Sequence, residues 1–285
     1  MSPVINIYTV VYMKPEFIFM QTEYLKKYCT DNYKLWVINN GKDLDTRRSI
    51  DQYCREYKAE CIAFNRPPNV QEGCSQSHAV ALEYALINFI KKANKNDITV
   101  IMDSDVFPFK QFSFMTILNS KDIAGMYQQR MFKSGAEYVY LSAIFTMFKN
   151  SIDISNFSFH KGIGDTGSGT AELIQKYPTE FIKHTAAIDI ESDYIFRGQD
   201  VKKFYKKEYR CQFLANIFIH YYRGSNWAES DPKYHERKLD FVKAFLQNPE
   251  PYKINLDSTV SYSTAQSDKG HNGVDHNYKN YRFIK

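Results

Sequence analysis

The sequence predicts an α/β fold in which helices flank a mostly parallel central sheet. Segments of strand length alternate with amphipathic helical segments in the N-terminal part of the chain. The segment at 98–105 is a nearly continuous apolar run that ends in two carboxylates, Asp103 and Asp105. Alternating strands and helices are typical of a parallel, doubly wound sheet, and a continuous apolar run is typical of one of its buried strands.

The N-terminal part is predicted to alternate strands and helices up to that run. Residues 4–11 are apolar with small polar residues between them, which favours a strand. Pro15 and Glu16 begin a helix, because proline is common in the first turn of a helix. The elements that follow are a strand at 35–38, a helix at 44–57, a strand at 61–64, a helix that begins at Ser75 and the buried strand that runs into Asp103 and Asp105.

The pattern changes after Asp105. Two strands are predicted at 123–127 and 138–148 without a long helix between them, so we expect an α+β insertion on the same sheet. The remaining predicted elements are a helix at 171–177, a helix at 201–209, a strand at 213–219 and a helix that begins at Pro232. Residues 251–285 are polar and rich in turn-forming residues, and we expect an arm or lid there rather than a second domain.

The composition is that of one large domain with an ample core. The chain has 285 residues, of which 44% are hydrophobic and 16% aromatic, and its net charge is +5. It has no concentrated basic stripe, which argues against binding to nucleic acid. The five cysteines are an odd number without a Cys-x-x-Cys pair, and this indicates free thiols in a reducing compartment.

We expect a cytoplasmic protein. The N-terminus lacks the basic region of a signal peptide. No segment approaches the roughly 18 apolar residues that a membrane span requires, so no transmembrane segment is predicted. The sequence leaves the oligomeric state open.

Asp103 and Asp105 form the first candidate site. Ligands of open α/β sheets bind at the carboxyl ends of the strands, where these two residues should lie. Two carboxylates in such a place repel each other and lose solvation, so a cation should offset the cost. Mg²⁺ or Mn²⁺ with a phosphorylated ligand is the expected partner, because these ions prefer hard oxygen ligands. An ordinary strand followed by an acidic turn is the alternative.

His220 and the residues after it form the second candidate site, at the end of the predicted strand 213–219. An imidazole ligand suits Mn²⁺ better than Mg²⁺. Arg223 could bind phosphate oxygens with two parallel hydrogen bonds, and Gly224 would let a ligand approach the backbone. The alternative is a histidine at a strand end followed by a surface loop.

Two aspartates are candidates for a catalytic base. Asp165 lies in the glycine-rich segment 162–169, whose glycines permit positive φ angles ahead of a helix N-terminus. Asp200 precedes the predicted helix at 201–209. For both, capping of the following helix is the alternative, and the residues do not decide between the two.

Ser77 and His78 open the helix ahead of the strand that runs into Asp103. They could contact a nucleotide there or simply cap the helix.

These residues together resemble those of nucleotide-sugar-dependent glycosyltransferases of the GT-A fold. The resemblance extends to about Phe245. It is carried by Thr9, Asn39-Asn40-Gly41, Ser77-His78, Ile101-Met-Asp-Ser-Asp105, and His220 with Gly224, Ser225 and Trp227. It implies a single Rossmann-like GT-A domain at 1–250 with a smaller mixed acceptor-side sheet. Residues 1–110 would be the nucleotide-binding half, 111–250 the acceptor-binding half, and 251–285 the arm or lid.

The resemblance also implies roles for individual residues. Asp105 would bind the metal directly, Asp103 would contact the ribose or a water of the metal shell, and His220 would complete the shell. The residues implied at the nucleotide are Thr9, Val10, Tyr12, Asn40, Ser77, His78, Asp103, Ser104, Arg223, Gly224 and Ser225. Asp165 matches the Asp-Thr-Gly motif of some members. The Glu-Asp pair that others carry at the base position is missing, with Gln199-Asp200 as its nearest equivalent, so the choice between inversion and retention stays open.

The implied activity is the metal-dependent transfer of a sugar from a UDP- or GDP-sugar to an acceptor hydroxyl of a glycan or another molecule. Two alternatives remain. One is a non-catalytic nucleotide- or glycan-binding protein of the same fold. The other is a sugar-phosphate nucleotidylyltransferase, which the loop after the first strand disfavours because residues 10–16 contain no glycine.

Overall fold

A computed structural model describes residues 2–67, 75–131, 137–159, 166–184, 211–222, 224 and 232–249. The helix predicted at 201–209 and the arm or lid predicted at 251–285 lie outside these residues. None of the helices in the described part is both long and apolar enough to cross a membrane.

Ten strands lie in the described residues and form two sheets. The seven-stranded central sheet has the order β3-β2-β1-β4-β7-β6-β8, and the three-stranded second sheet has the order β5-β10-β9. The strands are β1 (Ile5–Val11), β2 (Tyr33–Asn39), β3 (Glu60–Ala63), β4 (Ile98–Met102), β5 (Val106–Pro108), β6 (Ile123–Met131), β7 (Glu137–Lys149), β8 (Thr179–Ile182), β9 (Gln212–Leu214) and β10 (Phe218–His220).

Six α-helices are described, together with a short 3₁₀ helix at Ile90–Lys92. The helices are α1 (Glu16–Tyr28), α2 (Leu44–Tyr57), α3 (Ser75–Asn88), α4 (Phe114–Leu118), α5 (Thr170–Lys176) and α6 (Pro232–Gln247). The helix α2 begins and ends where the sequence predicts. Asp43 begins it by accepting a hydrogen bond from the Thr46 amide at 2.8 Å, and Lys58 ends it in a left-handed conformation.

The central sheet is mostly parallel, so the predicted α/β fold class is confirmed. Strands β3, β2, β1 and β4 run in the same direction. Strand β7 is antiparallel to both of its neighbours, whereas β6 and β8 are parallel to each other. The strands of the predicted insertion therefore extend the same sheet, as expected.

Side chains of β1 alternate between the two faces of this sheet. Ile7 and Val11 pack into the apolar cluster that includes Ile18 of α1, whereas Tyr8 lies in the cluster that includes Leu82 of α3. The strand is buried along its whole length because helices cover both faces.

The order of the strands creates a crevice at the carboxyl end of β1. From β1 the chain winds to β2 and β3 on one side and then crosses to β4 on the other side of β1. The helix that follows β1 (α1) and the helix that precedes β4 (α3) therefore lie on opposite faces of the sheet, which leaves a gap between the carboxyl ends of these two strands. Such a switch point is where open α/β sheets bind their ligands.

The strand predicted at 213–219 is in fact two strands. Strands β9 and β10 pair in antiparallel fashion and are joined through Ala215 and Asn216, whose φ angles are +53° and +54°. Asparagine tolerates this left-handed conformation better than most residues. The continuous apolar run conceals the turn, because both short strands are buried and carry apolar side chains.

Candidate functional site

The turn that carries Asp103 and Asp105 begins where β4 ends. The strand stops at Met102, so both carboxylates lie in the turn that follows it. The Asp103 amide still donates to the Ile144 carbonyl of β7 at 3.0 Å, and the Val106 amide donates to the Asp103 carbonyl at 3.1 Å. The chain turns here because β4 belongs to the central sheet, whereas β5 belongs to the second sheet.

Gln21 of α1 holds this turn from the side. Its fully buried side-chain amide donates to the Asp103 carbonyl at 2.8 Å and to the Val106 carbonyl at 3.3 Å. Sequence reasoning missed this residue. The available signal was a polar side chain on the apolar stripe of α1, four residues from Phe17 and four from Leu25.

Strand pairing brings His220 to the same turn. In the second sheet, His220 of β10 lies opposite Val106, which directly follows Asp105. The His220 Nε2 atom is 3.2 Å from Asp105 Oδ1, and its Nδ1 atom is 2.9 Å from Gln212 Oε1. An amide oxygen only accepts, so Nδ1 carries a proton and Nε2 is directed at the carboxylate. Gln212 is a further residue for which the sequence offers no signal.

Asp105 is buried, but its surroundings favour the ionised form of its carboxyl. The Gly224 amide donates to its Oδ2 atom at 2.9 Å, and its backbone carbonyl accepts from the Tyr221 amide at 2.8 Å. Burial alone would raise the pKa of the Asp105 carboxyl. The charge and hydrogen bond of His220 and the Gly224 amide outweigh that effect, with a further contribution from the Lys238 charge, and the pKa lies below its usual value.

Gly224 is required at its position by the approach to Asp105. A Cβ atom there would lie 2.6 Å from Asp105 Oδ2 and 2.9 Å from the ring of Phe17. The sequence analysis expects a ligand to approach the backbone of this glycine. In the structure, the Asp105 carboxylate makes that close approach.

The ligand atoms of Asp103, Asp105 and His220 lie within 4.8 Å of one another. Two carboxylates and one imidazole fit a divalent cation that accepts oxygen and nitrogen ligands, as Mn²⁺ does. Three protein ligands leave coordination positions for phosphate oxygens and water. Asp103 is half-buried, and its Oδ1 atom is 3.3 Å from Nε2 of His78, so the His78 imidazole lies at this cluster.

Two polar side chains with unused hydrogen-bonding atoms lie near the carboxyl ends of β1 and β2. Thr9 and Asn40 are buried, and within the described part of the chain neither Thr9 Oγ1 nor Asn40 Oδ1 has a hydrogen-bond partner. The Asn40 amide nitrogen donates to Ser77 Oγ at 3.0 Å. A buried polar atom without a partner costs about 1–3 kcal/mol, so a ligand that supplies one is stabilised here.

The other predicted nucleotide-binding residues take different places. Val10 packs its side chain into the core beside Ile38, so only its backbone can reach a ligand. Tyr12 and Ser104 are half-buried, the latter within the turn between the two aspartates. The predicted site residues Asp165, Asp200, Arg223 and Ser225 lie outside the described residues.

The described end of the loop that contains Asp165 packs on β7. Gly167 has a φ angle of +97°, and a Cβ atom there would lie 2.5 Å from the Leu141 carbonyl. Thr170 accepts a hydrogen bond from the Leu141 amide at 2.7 Å. Ile144, which bonds to Asp103, lies three residues further along β7. This loop therefore approaches the strand that borders the aspartate turn.

Comparison with known proteins finds similarity at the level of structure. One similar solved structure is the mannosyltransferase PcManGT from Pyrobaculum calidifontis in complex with GDP-Man and Mn²⁺, with 13% identity and a TM-score of 0.43. The match covers 64% of this chain and 55% of that one. Another is the galactosyltransferase LgtC in complex with donor and acceptor sugar analogs, with 11% identity and a TM-score of 0.38.

The match to the galactosyltransferase covers 62% of this chain and 72% of that one. Both structures are of glycosyltransferases, the class that the sequence resembles. No protein-family model matches the sequence, and a search of curated proteins likewise finds no match.

Replacement of Gln21 by glutamate tests how the aspartate turn is held. Gln21→Glu turns a donor into a carboxylate that faces two carbonyls, and we expect it to lower the free energy of unfolding by about 2–4 kcal/mol. The exposed Gln52 of α2 provides the matched control, Gln52→Glu, which should change it by less than about 0.5 kcal/mol. Chemical denaturation measures both, and equal stability of the two variants would contradict the role given to Gln21.

Proposed function

We propose that the protein is a metal-dependent glycosyltransferase that moves a sugar from a UDP- or GDP-sugar to an acceptor hydroxyl of a glycan. One observation carries the proposal. The buried Asp105 is in contact with His220 and lies beside Asp103, next to the point where the strand order of the central sheet reverses. Two carboxylates and an imidazole suit a divalent cation, and their place near the buried polar groups of Thr9 and Asn40 favours a cation that is shared with a nucleotide.

Asp105 and His220 would hold the metal, with Asp103 as a third ligand or as a contact to the ribose. The imidazole favours Mn²⁺ over Mg²⁺. When bound, the metal would act as a Lewis acid that neutralises the diphosphate leaving group. Arg223, with Gly224 and Ser225 beside it, would add a second positive charge and backbone contacts to the same phosphates.

The nucleotide base would lie against Thr9 and Asn40. Asn40 Oδ1 lacks a donor among the described residues, and the imino N–H of uracil or guanine could supply it. Neutral adenine and cytosine carry no such ring N–H on their pairing edge, which supports a uridine or guanosine donor. Tyr12, the Val10 backbone and Ser77 would complete this pocket, while His78 and Ser104 would lie between the base and the metal.

Asp165 is the preferred candidate for the base that takes the proton of the acceptor hydroxyl, and Asp200 is the rival. The support for Asp165 is the packing of Gly167 and Thr170 on β7, the strand that also bonds to Asp103. A carboxylate within hydrogen-bond reach of the acceptor would act by general base catalysis if the reaction inverts the anomeric centre.

Replacement of Asp105 by asparagine tests the metal site. Asp105→Asn keeps the shape of the side chain but removes its charge, and we expect turnover to fall about a thousandfold or more, or roughly 4 kcal/mol of transition-state stabilisation. The measurement is hydrolysis and transfer with a panel of UDP- and GDP-sugars, with Mn²⁺ and with a chelator. Asp45→Asn removes an exposed carboxylate of α2 and is the control.

Circular dichroism would establish that both variants are folded. Full activity of Asp105→Asn in the presence of Mn²⁺ would refute the metal site. Tight nucleotide binding by the wild-type protein without turnover of any donor would instead identify a non-catalytic binding protein.

Replacement of Asn40 by alanine tests the base pocket. Asn40→Ala removes the acceptor, and we expect the dissociation constant for UDP or GDP to rise about tenfold, or roughly 1.4 kcal/mol. Isothermal titration with Mn²⁺ present measures it, and ADP and CDP should bind the wild-type protein more weakly. Asn88→Ala removes an amide that donates to the Tyr84 carbonyl within α3 and serves as the control. Unchanged UDP and GDP affinity in Asn40→Ala would exclude Asn40 from the pocket.

A comparison of Asp165→Asn with Asp200→Asn separates the two candidate bases. Loss of the base should lower turnover about 10²–10⁴-fold with little change in donor binding. We expect this loss in Asp165→Asn. Near-native turnover in that variant, together with a large loss in Asp200→Asn, would transfer the role to Asp200.

A further inference from the structure

Helix α6 carries a buried lysine that the proposed reaction does not use. Lys238 is 2% exposed and lies on the same helix face as Val242 and Phe245. An ammonium group in such a place is costly unless it is paired or hydrogen-bonded. The Lys238 Nζ atom donates to the Tyr222 carbonyl at 2.9 Å and lies 4.1 Å from the ring centroid of Tyr221. Lys238 therefore occupies a buried position that an apolar side chain could fill, and its ammonium group makes specific contacts there.

The carbonyl that Lys238 holds belongs to a strained residue. Tyr222 has a φ angle of +62°, a conformation that costs a non-glycine residue free energy unless its surroundings fix it. The hydrogen bond from Lys238 acts on this residue directly. A second contact from α6 acts on the residue before it, because the Tyr221 hydroxyl lies 3.1 Å from the ring nitrogen Nδ1 of buried His235.

Tyr221 and Tyr222 lie between the two groups that grip the Asp105 carboxylate. His220 contacts Oδ1 on one side, and the Gly224 amide donates to Oδ2 on the other. The Tyr221 amide also donates to the Asp105 carbonyl. The conformation of Tyr222 therefore sets how His220 and Gly224 are presented to Asp105, and Lys238 fixes that conformation from behind.

We propose that Lys238 is a positioning residue of the metal site, whose ammonium holds Tyr222 in the conformation that presents His220 and Gly224 to Asp105. The inference rests on the proposed function, because it takes the Asp103, Asp105 and His220 cluster to be a metal site. Two effects of Lys238 on metal affinity have opposite signs. Its charge repels a divalent cation, whereas its hydrogen bond prearranges a ligand, and a prearranged ligand lowers the ordering cost of binding.

If removal of the Lys238 ammonium weakens metal binding, its positioning effect prevails. If removal tightens metal binding, its charge repulsion prevails. Mn²⁺ binding to the full-length chain is measured by the loss of the free Mn²⁺ electron paramagnetic resonance signal. Lys238→Met keeps the length and apolar stem of the side chain but has no donor, and we expect the dissociation constant for Mn²⁺ to rise at least tenfold. Lys238→Arg keeps charge and donors and should restore most of the affinity. Lys243→Met, on a less buried position of the same helix, should bind Mn²⁺ like the wild-type protein.

Each outcome has a defined meaning. Unchanged or tighter Mn²⁺ binding by Lys238→Met overturns the positioning role, as does an equal loss in folded Lys238→Met and Lys238→Arg, which would point to packing alone. If Lys238→Met does not fold, Lys238→Leu, which also lacks a donor, replaces it under the same criteria. Failure of the wild-type protein to bind Mn²⁺ would overturn the metal site itself, a result distinct from failure of the Lys238 role.

Discussion

The burial of the Asp105 carboxylate is the constraint on which the rest of the site depends. A carboxylate that is withdrawn from water loses several kcal/mol of solvation unless charges and hydrogen bonds offset the loss. Here His220 and the Gly224 amide offset it, one at each oxygen. Both are contributed by the end of β10 and the residues after it, and β10 reaches Asp105 because it pairs with β5, which begins at the next residue. The second sheet is thus what makes a buried, ionised Asp105 possible.

The central sheet and α1 fix the other side of the same turn. The Asp103 amide is bonded to β7, and Gln21 bonds to the carbonyls on both sides of the turn. A turn that is held from several elements keeps its two carboxylates near each other and near His220 before any cation arrives. In the proposed nucleotide pocket, Thr9 and Asn40 retain buried atoms that no described residue satisfies. The fold therefore prearranges the three candidate metal ligands, and we expect a bound nucleotide to satisfy the polar atoms of the proposed pocket.

Much of the central sheet can be predicted from the sequence because local patterns determine it. The helix at Leu44–Tyr57 follows from its periodicity and its cap, and the buried strands follow from continuous apolar runs. The same patterns fail at 213–219, where an apolar run contains a turn. Only the left-handed conformation of Ala215 and Asn216 separates the two strands there, and the buried environment keeps both strands apolar. The meeting of Asp103, Asp105 and His220 could be predicted, because carboxylate and imidazole groups at the ends of buried strands need a charged or hydrogen-bonding partner.

Two of the site residues that the sequence analysis misses, Gln21 and Lys238, share one property. Gln21 lies four residues from Phe17 of α1, and Lys238 lies four residues from Val242 of α6, so both occupy the apolar stripes of their helices. Helical periodicity identifies the buried face of a helix but not what that face packs against. A polar side chain on such a face must still find a partner, since buried polar groups are almost always hydrogen-bonded. In both cases the partner is a backbone carbonyl within two residues of a proposed metal ligand. A polar residue on a predicted apolar helix face therefore indicates that its side chain fixes a backbone segment by a hydrogen bond. Only the fold shows which segment that is.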